Sequence, residues 1–224
     1  MKKTLFSLTL IAAATASHAV PLVQGTWVTL GGTTVAAEPQ LAGVVLQDEL
    51  TAFSFSAYGG IVSGTVQSRV VRSSVDGTID FYWRVLNDAN SSGAIQDLRL
   101  GNFVAPEYNA NWRIDGLGDK APSAAFLFGP PRPDGYINFR FYEASSTEPG
   151  AGLAPGQSSN FIFMDTTATS YAKTAVYDLT NFGQTQISSS FATFAPAVPE
   201  PSTYGLMGAG LGLLVWLQRR RGAR

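Results

Sequence analysis

The sequence predicts an all-β fold, an antiparallel two-sheet β-sandwich of jelly-roll or immunoglobulin-like type, and three observations carry that expectation. Along residues 20–194 apolar side chains alternate with polar ones, and no stretch reads as a long amphipathic helix. Turn residues separate the alternating runs at fairly regular intervals. The 224 residues include 23 glycines and 12 prolines with aromatics at 12%, a composition that suits many tight turns better than a helical bundle.

The first run covers residues 44–55. In the second, Val62, Gly64, Val66, Ser68 and Val70 share one side while Ser63, Thr65, Gln67 and Arg69 take the other. Ile79, Phe81, Trp83 and Val85 then alternate with Thr78, Asp80, Tyr82 and Arg84, the period-two pattern of a half-buried strand. Residues 96–100 and 124–128 follow, then Ile137, Phe139 and Phe141 alternating with Asn138, Arg140 and Tyr142. Residues 160–164, 172–179 and 186–194 complete nine strands. Turn chemistry marks the breaks at Asp76-Gly77, 87–93, Asp115-Gly116, 129–135 and 147–156. The last of these is read as a long loop, because strand patterns resume directly after it. No internal repeat divides the region, so residues 20–197 form one ectodomain, large enough to bury roughly 70% of its unfolded surface.

Charge and residue usage exclude several function classes. The formal net charge of -1 hides an asymmetry: Lys2 and Lys3 stand at one end and Arg219, Arg220, Arg221 and Arg224 at the other. The stretch between keeps nine basic residues against fifteen acidic ones, which argues against nucleic acid as a partner. Cysteine is absent, and the single histidine, His18, falls in the expected leader. A Ser-His-Asp or Cys-His site cannot be built without them, nor can the usual zinc or copper site. The expectation is therefore no enzyme, no catalytic residue, no metal site and no cofactor.

Both ends read as addresses. Residues 1–19 have the parts of a secretory signal peptide: Lys2 and Lys3, an apolar run over 5–14, and the small residues Ser17 and Ala19 three and one positions before the cut. Cleavage is expected before Val20. Residues 198–224 hold a proline-rich strip, Val198-Pro199-Glu200-Pro201-Ser202-Thr203, then an uncharged run over 204–217 and the cluster Arg219, Arg220 and Arg221. As a helix that run spans about 21 Å against a hydrocarbon core of about 30 Å, a short transmembrane helix with its arginines held in the cytoplasm.

That order of motif, apolar helix and arginine cluster closely resembles the PEP-CTERM sorting signal of Gram-negative bacteria. The resemblance implies recognition of Pro199, Glu200 and Pro201 by an exosortase, a membrane cysteine transpeptidase, with Arg219, Arg220 and Arg221 as the stop signal. It implies as partners the exosortase and the secretion machinery, with the inner membrane engaged transiently through the C-terminal helix. It also implies a cell-surface or extracellular setting alongside exopolysaccharide and biofilm production. Pro155-Gly156-Gln157-Ser158-Ser159, Asp165-Thr166-Thr167-Ala168 and Tyr171 resemble a segment recurrent in PEP-CTERM ectodomains.

For the ectodomain the expected role is structural, with two alternatives. A carbohydrate-binding module would use a flat strip of aromatics, drawn from Tyr58, Tyr82, Tyr108, Trp112, Tyr136 and Tyr142. A glycan hydrolase would need two carboxyls facing across a cleft, drawn from Asp80, Asp97, Glu107, Asp115, Glu143 and Asp165. The oxygen-rich loops 87–90 and 115–119 are the candidate calcium ligands, although Asn, Asp and Gly are also what turns use.

Overall fold

A computed structural model of the chain describes residues 18–133, 135–148 and 150–197. The expected signal peptide lies outside them except for its last two residues, and the expected sorting helix lies outside them entirely. Among the described residues no helix is long and apolar enough to cross a membrane.

The molecule is sandwich-like, with two antiparallel sheets of six strands each. The first sheet runs β1 (Val20–Pro21), β7 (Asn109–Trp112), β10 (Ile162–Asp165), β5 (Ile79–Asn87), β4 (Gly60–Ser73) and β3 (Gly43–Ala57). The second runs β12 (Phe191–Pro196), β11 (Tyr171–Thr180), β6 (Asp97–Gly101), β9 (Ile137–Arg140), β8 (Ala124–Leu127) and β2 (Trp27–Thr29). Eight of the nine expected strands appear close to their expected places. The ninth is shorter than expected: β12 begins at Phe191, because residues 186–190 turn back to touch the end of β11 and leave Ile187 exposed. β1, β2 and β7 were not expected. Two or three residues are too few to show a period, and Asn-Ala-Asn-Trp in β7 has no β-branched residue to mark it.

The longest hairpin shows how local sequence sets register. β3 and β4 pair to Ala57↔Gly60, leaving Tyr58 and Gly59 as a two-residue turn with both φ positive, +55° and +75°, as a type I′ turn requires. Tyr58, a non-glycine in this region, is held by its hydroxyl, which donates to the Ala94 carbonyl at 2.9 Å and accepts the Phe182 N–H at 2.9 Å. Gly93 lies under its ring, where a Cβ would stand 2.2 Å from the nearest ring carbon.

Between the sheets the inward rows form one core. Val62, Val66, Val70, Ile79, Phe81, Trp83 and Val85 come from the first sheet, and Leu98, Leu100, Ile137, Phe139, Tyr177 and Leu179 from the second. Phe103 stands edge-on to Phe81 and Trp83, with centroids 5.3 and 5.6 Å away. The Trp83 Nε1–H donates to Thr193 Oγ1 at 2.8 Å, so its one polar atom is satisfied at the inter-sheet contact.

Candidate functional site

Outward side chains meet different surroundings on the two sheets. On the first, residues 33–42 form a strap over β5 and β10. Leu41 joins Val71, Tyr82, Phe161 and Phe163 in a second, smaller core, and the Tyr82 hydroxyl donates to the Leu41 carbonyl at 3.3 Å. The half-buried reading of β5 is thus corrected: Asp80 and Tyr82 are 1% and 3% exposed, because the strap roofs their end of the sheet. Beside the strap a groove of about 420 Å³ is lined by Tyr82, Phe161, Arg69, Arg113 and Asp115. Its charges are engaged within the protein. Arg113 Nε donates to Asp115 at 2.6 Å, Arg69 Nη2 to Asp48 at 2.7 Å, and the Arg69 guanidinium lies 4.8 Å from the centre of the Phe161 ring.

Of the six carboxyls considered for a hydrolase, the fold brings two together. Asp80 and Asp165 follow directly from the paired Phe81 and Met164 on adjacent antiparallel strands, so they stand side by side on the strap-covered face. Burial, then the charge of Asp165, pushes the Asp80 carboxyl well above the usual carboxylate range. Burial raises Asp165 as well, with Glu38 of the strap adding to the effect. Asp97 lies on the second sheet, 1% exposed and pushed up by burial, and accepts from Thr180 Oγ1 at 2.9 Å. Glu107 and Glu143 are exposed.

The oxygen-rich loops use their carboxylates as ties. Asp88 accepts from Ser63 Oγ at 2.8 Å, Asp115 from the Val35 N–H at 2.9 Å, and Asp119 from both the N–H and Oγ of Ser158 at 2.9 and 3.0 Å. Burial pushes Asp115 up, but its bonds from Arg113 and then from the Val35 N–H bring it below the usual carboxylate range, and the Ser158 bonds do the same for Asp119. Among the described residues no three acidic or imidazole side chains form a group able to hold a metal ion.

The second sheet presents an open outer face. Cross-strand register sets Trp27, Phe126, Asn138, Arg99 and Asp178 in one outward row from β2 to β11. Next to it Phe128 and Tyr136 continue the faces of β8 and β9. The rings interlock: Trp27 and Phe126 centroids are 5.2 Å apart and Phe126 and Phe128 4.8 Å. Guanidinium groups lie over them, Arg140 at 4.3 Å from the Trp27 centroid and Arg132 at 5.0 Å from that of Phe128. Beside this strip runs a groove of about 320 Å³ lined by Arg99, Gly101, Phe128, Arg132, Tyr136, Asp178 and Gln184. Gly101 keeps its floor low, since a Cβ there would stand 3.2 Å from Val176 and 3.4 Å from the Tyr136 ring. Arg99 and Asp178 form a two-armed pair at 2.6 and 2.8 Å, and Gln184 accepts from Arg99 Nη1 at 3.3 Å.

Of the six aromatics considered for a binding strip, Tyr136 and Tyr142 lie on this face, and Tyr142 packs against Phe182 with centroids 6.5 Å apart. The other four do structural work elsewhere. Tyr58 closes its hairpin, Tyr82 is under the strap, Tyr108 packs against the main core, and the Trp112 Nε1–H donates to the Leu30 carbonyl at 3.3 Å. Trp27, Phe126 and Phe128 were missed, although the spacing of Phe126 and Phe128, two apart in an alternating run, places them on one side.

At the two ends the positions are unequal. Ala19 is described and its N–H donates to Glu38 Oε1 at 2.7 Å, whereas Ser17 lies outside the described residues. So do Pro199, Glu200, Pro201, Arg219, Arg220 and Arg221. Residues 197–221 match the family description of the PEP-CTERM protein-sorting motif. The chain carries a PEP-CTERM sorting motif. The match spans the expected motif and arginine cluster, and it supports an exported protein destined for the cell envelope or surface and processed by an exosortase. No curated protein and no solved structure matches the chain, so the PEP-CTERM tail is the part with a recognised kin, and the ectodomain is read from its own chemistry.

Proposed function

We propose that the protein is a non-enzymatic component of the cell surface or extracellular matrix, and that its ectodomain holds exopolysaccharide on the outer face of the second sheet. The observation that carries this reading is the groove along the aromatic strip. A pyranose presents polarised C–H groups on its ring face and neighbouring hydroxyls at its rim. Phe128 and Tyr136 offer the first an electron-rich surface, already used by Arg132 in the free protein. The planar groups of Arg99, Asp178 and Gln184 offer the second paired donors and acceptors along one wall. Delivery through the PEP-CTERM tail puts such a face where secreted polysaccharide is found, with Pro199, Glu200 and Pro201 read by the exosortase and Arg219, Arg220 and Arg221 as the stop.

The carboxyl pair supports a hydrolase less well. A general acid must reach the glycosidic oxygen, and Asp80 is 1% exposed beneath the strap. A glycan array probed with the exported protein, followed by an assay for new reducing ends, tests the reading. Binding without release is expected. Release of reducing ends that is lost in Asp80→Asn would replace it with the hydrolase. The sorting half is tested by Glu200→Ala, which leaves the apolar span and arginines intact: the precursor should accumulate in the inner membrane, and unchanged size and location would refute recognition of Glu200.

A further inference from the structure

At the entry to β1 the chain meets a buried acid. Glu38 is 3% exposed and accepts the Ala19 N–H at 2.7 Å, while His18 Nδ1 lies 3.4 Å from the same oxygen. Its second oxygen, Oε2, is buried and has no hydrogen-bond partner among the described residues. Further carboxyls face the same place. Asp165 comes from β10 and is raised in part by the charge of Glu38. Asp80 comes from β5, with both oxygens buried and neither in a hydrogen bond of full geometry. Asp76, on the turn between β4 and β5, adds its negative field to both. Tyr82 stands beside them, and Arg113, directly after β7, is held by Asp115. Among the described residues no lysine or arginine forms an ion pair with any of these four acids, and the one basic side chain within ion-pair distance of them is His18, beside Glu38.

His18 and Ala19 belong to the expected leader. Hydrolysis of the Ala19–Val20 bond adds one water: Ala19 leaves with a new carboxylate, and Val20 gains an α-amine that is protonated at neutral pH. Cleavage thus removes both present partners of Glu38 and creates one cation one residue away. Consecutive Cα atoms are about 3.8 Å apart, so the freed ammonium lies within one residue's length of the position the Ala19 N–H leaves, a gap that a rotamer change of the Glu38 side chain closes. An ammonium has three N–H donors where an amide has one. Val20 can therefore stay opposite Ala110 on β7 and still donate to Glu38. We infer that the α-ammonium released on Val20 by removal of the leader is the counter-charge of Glu38, so that export cleavage completes the buried acid site and stabilises the mature ectodomain over its precursor. The inference rests on cleavage before Val20 and is independent of glycan binding.

The test uses protein exported from the full-length chain and purified from the exported fraction, its N-terminus sequenced first. The protein is produced with ¹³C-valine, so that the Cα of Val20 reports the titration of the unmodified α-amine beside it. That signal is followed by NMR against pH, with the urea-unfolded chain as reference. In the folded protein its midpoint is expected about one unit or more above the reference, near the ordinary 7.7–8.0, and back at the reference value in Glu38→Gln. Melting of the wild type should decline as pH rises through the raised midpoint, because the ion pair contributes fully below the unfolded value and is lost above the folded one. A chain that begins at Val20 with an unshifted midpoint overturns the ion pair. One that retains His18 overturns the cleavage on which it rests. If Glu38→Gln does not accumulate, the wild-type midpoint decides alone.

Discussion

On the first sheet, residues 33–42 fold over the outward side chains of β5 and β10, whereas on the second sheet the outward rings of Phe126, Phe128 and Tyr136 stay half exposed. Both faces begin from the same period-two alternation and both carry aromatics and arginines. What separates them is the roof. Under the strap, Tyr82 and Phe161 become core and Asp80 loses its solvent; without one, Trp27, Phe126, Phe128 and Tyr136 keep ring surface available while their arginines rest on it. Burial makes one face a structural element with perturbed carboxyls, and exposure leaves aromatic rings and arginines on the surface of the other.

The largest expected effect tests the roof itself. Leu41→Ala should cost about 2–5 kcal/mol in urea unfolding, as a fully packed leucine does, while Trp27→Ala, at a residue 41% exposed, should cost about 1 kcal/mol or less. Equal costs would erase the distinction between the faces.

Asp80→Asn comes next. Because folding raises its pKa, Asp80 favours the folded state fully below the unfolded carboxylate value of about 4, and that contribution is lost as pH climbs towards the folded value. The variant should therefore melt higher than wild type at pH 8, by an amount on the order of a few kcal/mol, and the gap should close by pH 4. A gap that widens in acid would mean that Asp80 is held as an anion.

Gly101→Ala separates binding from stability. The added methyl meets side chains that can yield, Val176 and Tyr136, so melting should change little while glycan affinity falls about tenfold, equivalent to about 1.4 kcal/mol. The smallest effect belongs to the paired charges of the other groove. Arg69→Ala breaks a partly exposed ion pair with Asp48 and should cost under about 1 kcal/mol, with glycan affinity unchanged.

The alternation of Ile79 to Val85 and of Ile137 to Phe141 made both sheets legible, since a period of two leaves one reading for a run of that length. The strap was not legible. Thr-Thr-Val-Ala-Ala-Glu-Pro-Gln-Leu over residues 33–41 has no period, and its role comes from where Leu41 lands on a sheet formed by residues far along the chain. The same reason hid the pairing of Asp80 with Asp165, which depends on β10 lying beside β5. The aromatic strip was half legible: Tyr136 and Tyr142 were candidates, but Trp27 sits on a three-residue strand, and the neighbours of Gly101 are Tyr136, just before β9, and Val176 of β11.

Whether the open face of the second sheet holds the glycan is decided by titrating the glycan retained on the array against exported wild-type protein, Tyr136→Ala and Arg113→Ala. Tyr136→Ala should weaken binding at least about tenfold with melting nearly unchanged, and Arg113→Ala, in the strap-side groove, should bind as wild type does. Loss of affinity in Arg113→Ala with full affinity in Tyr136→Ala would contradict that placement and move the site to the roofed face.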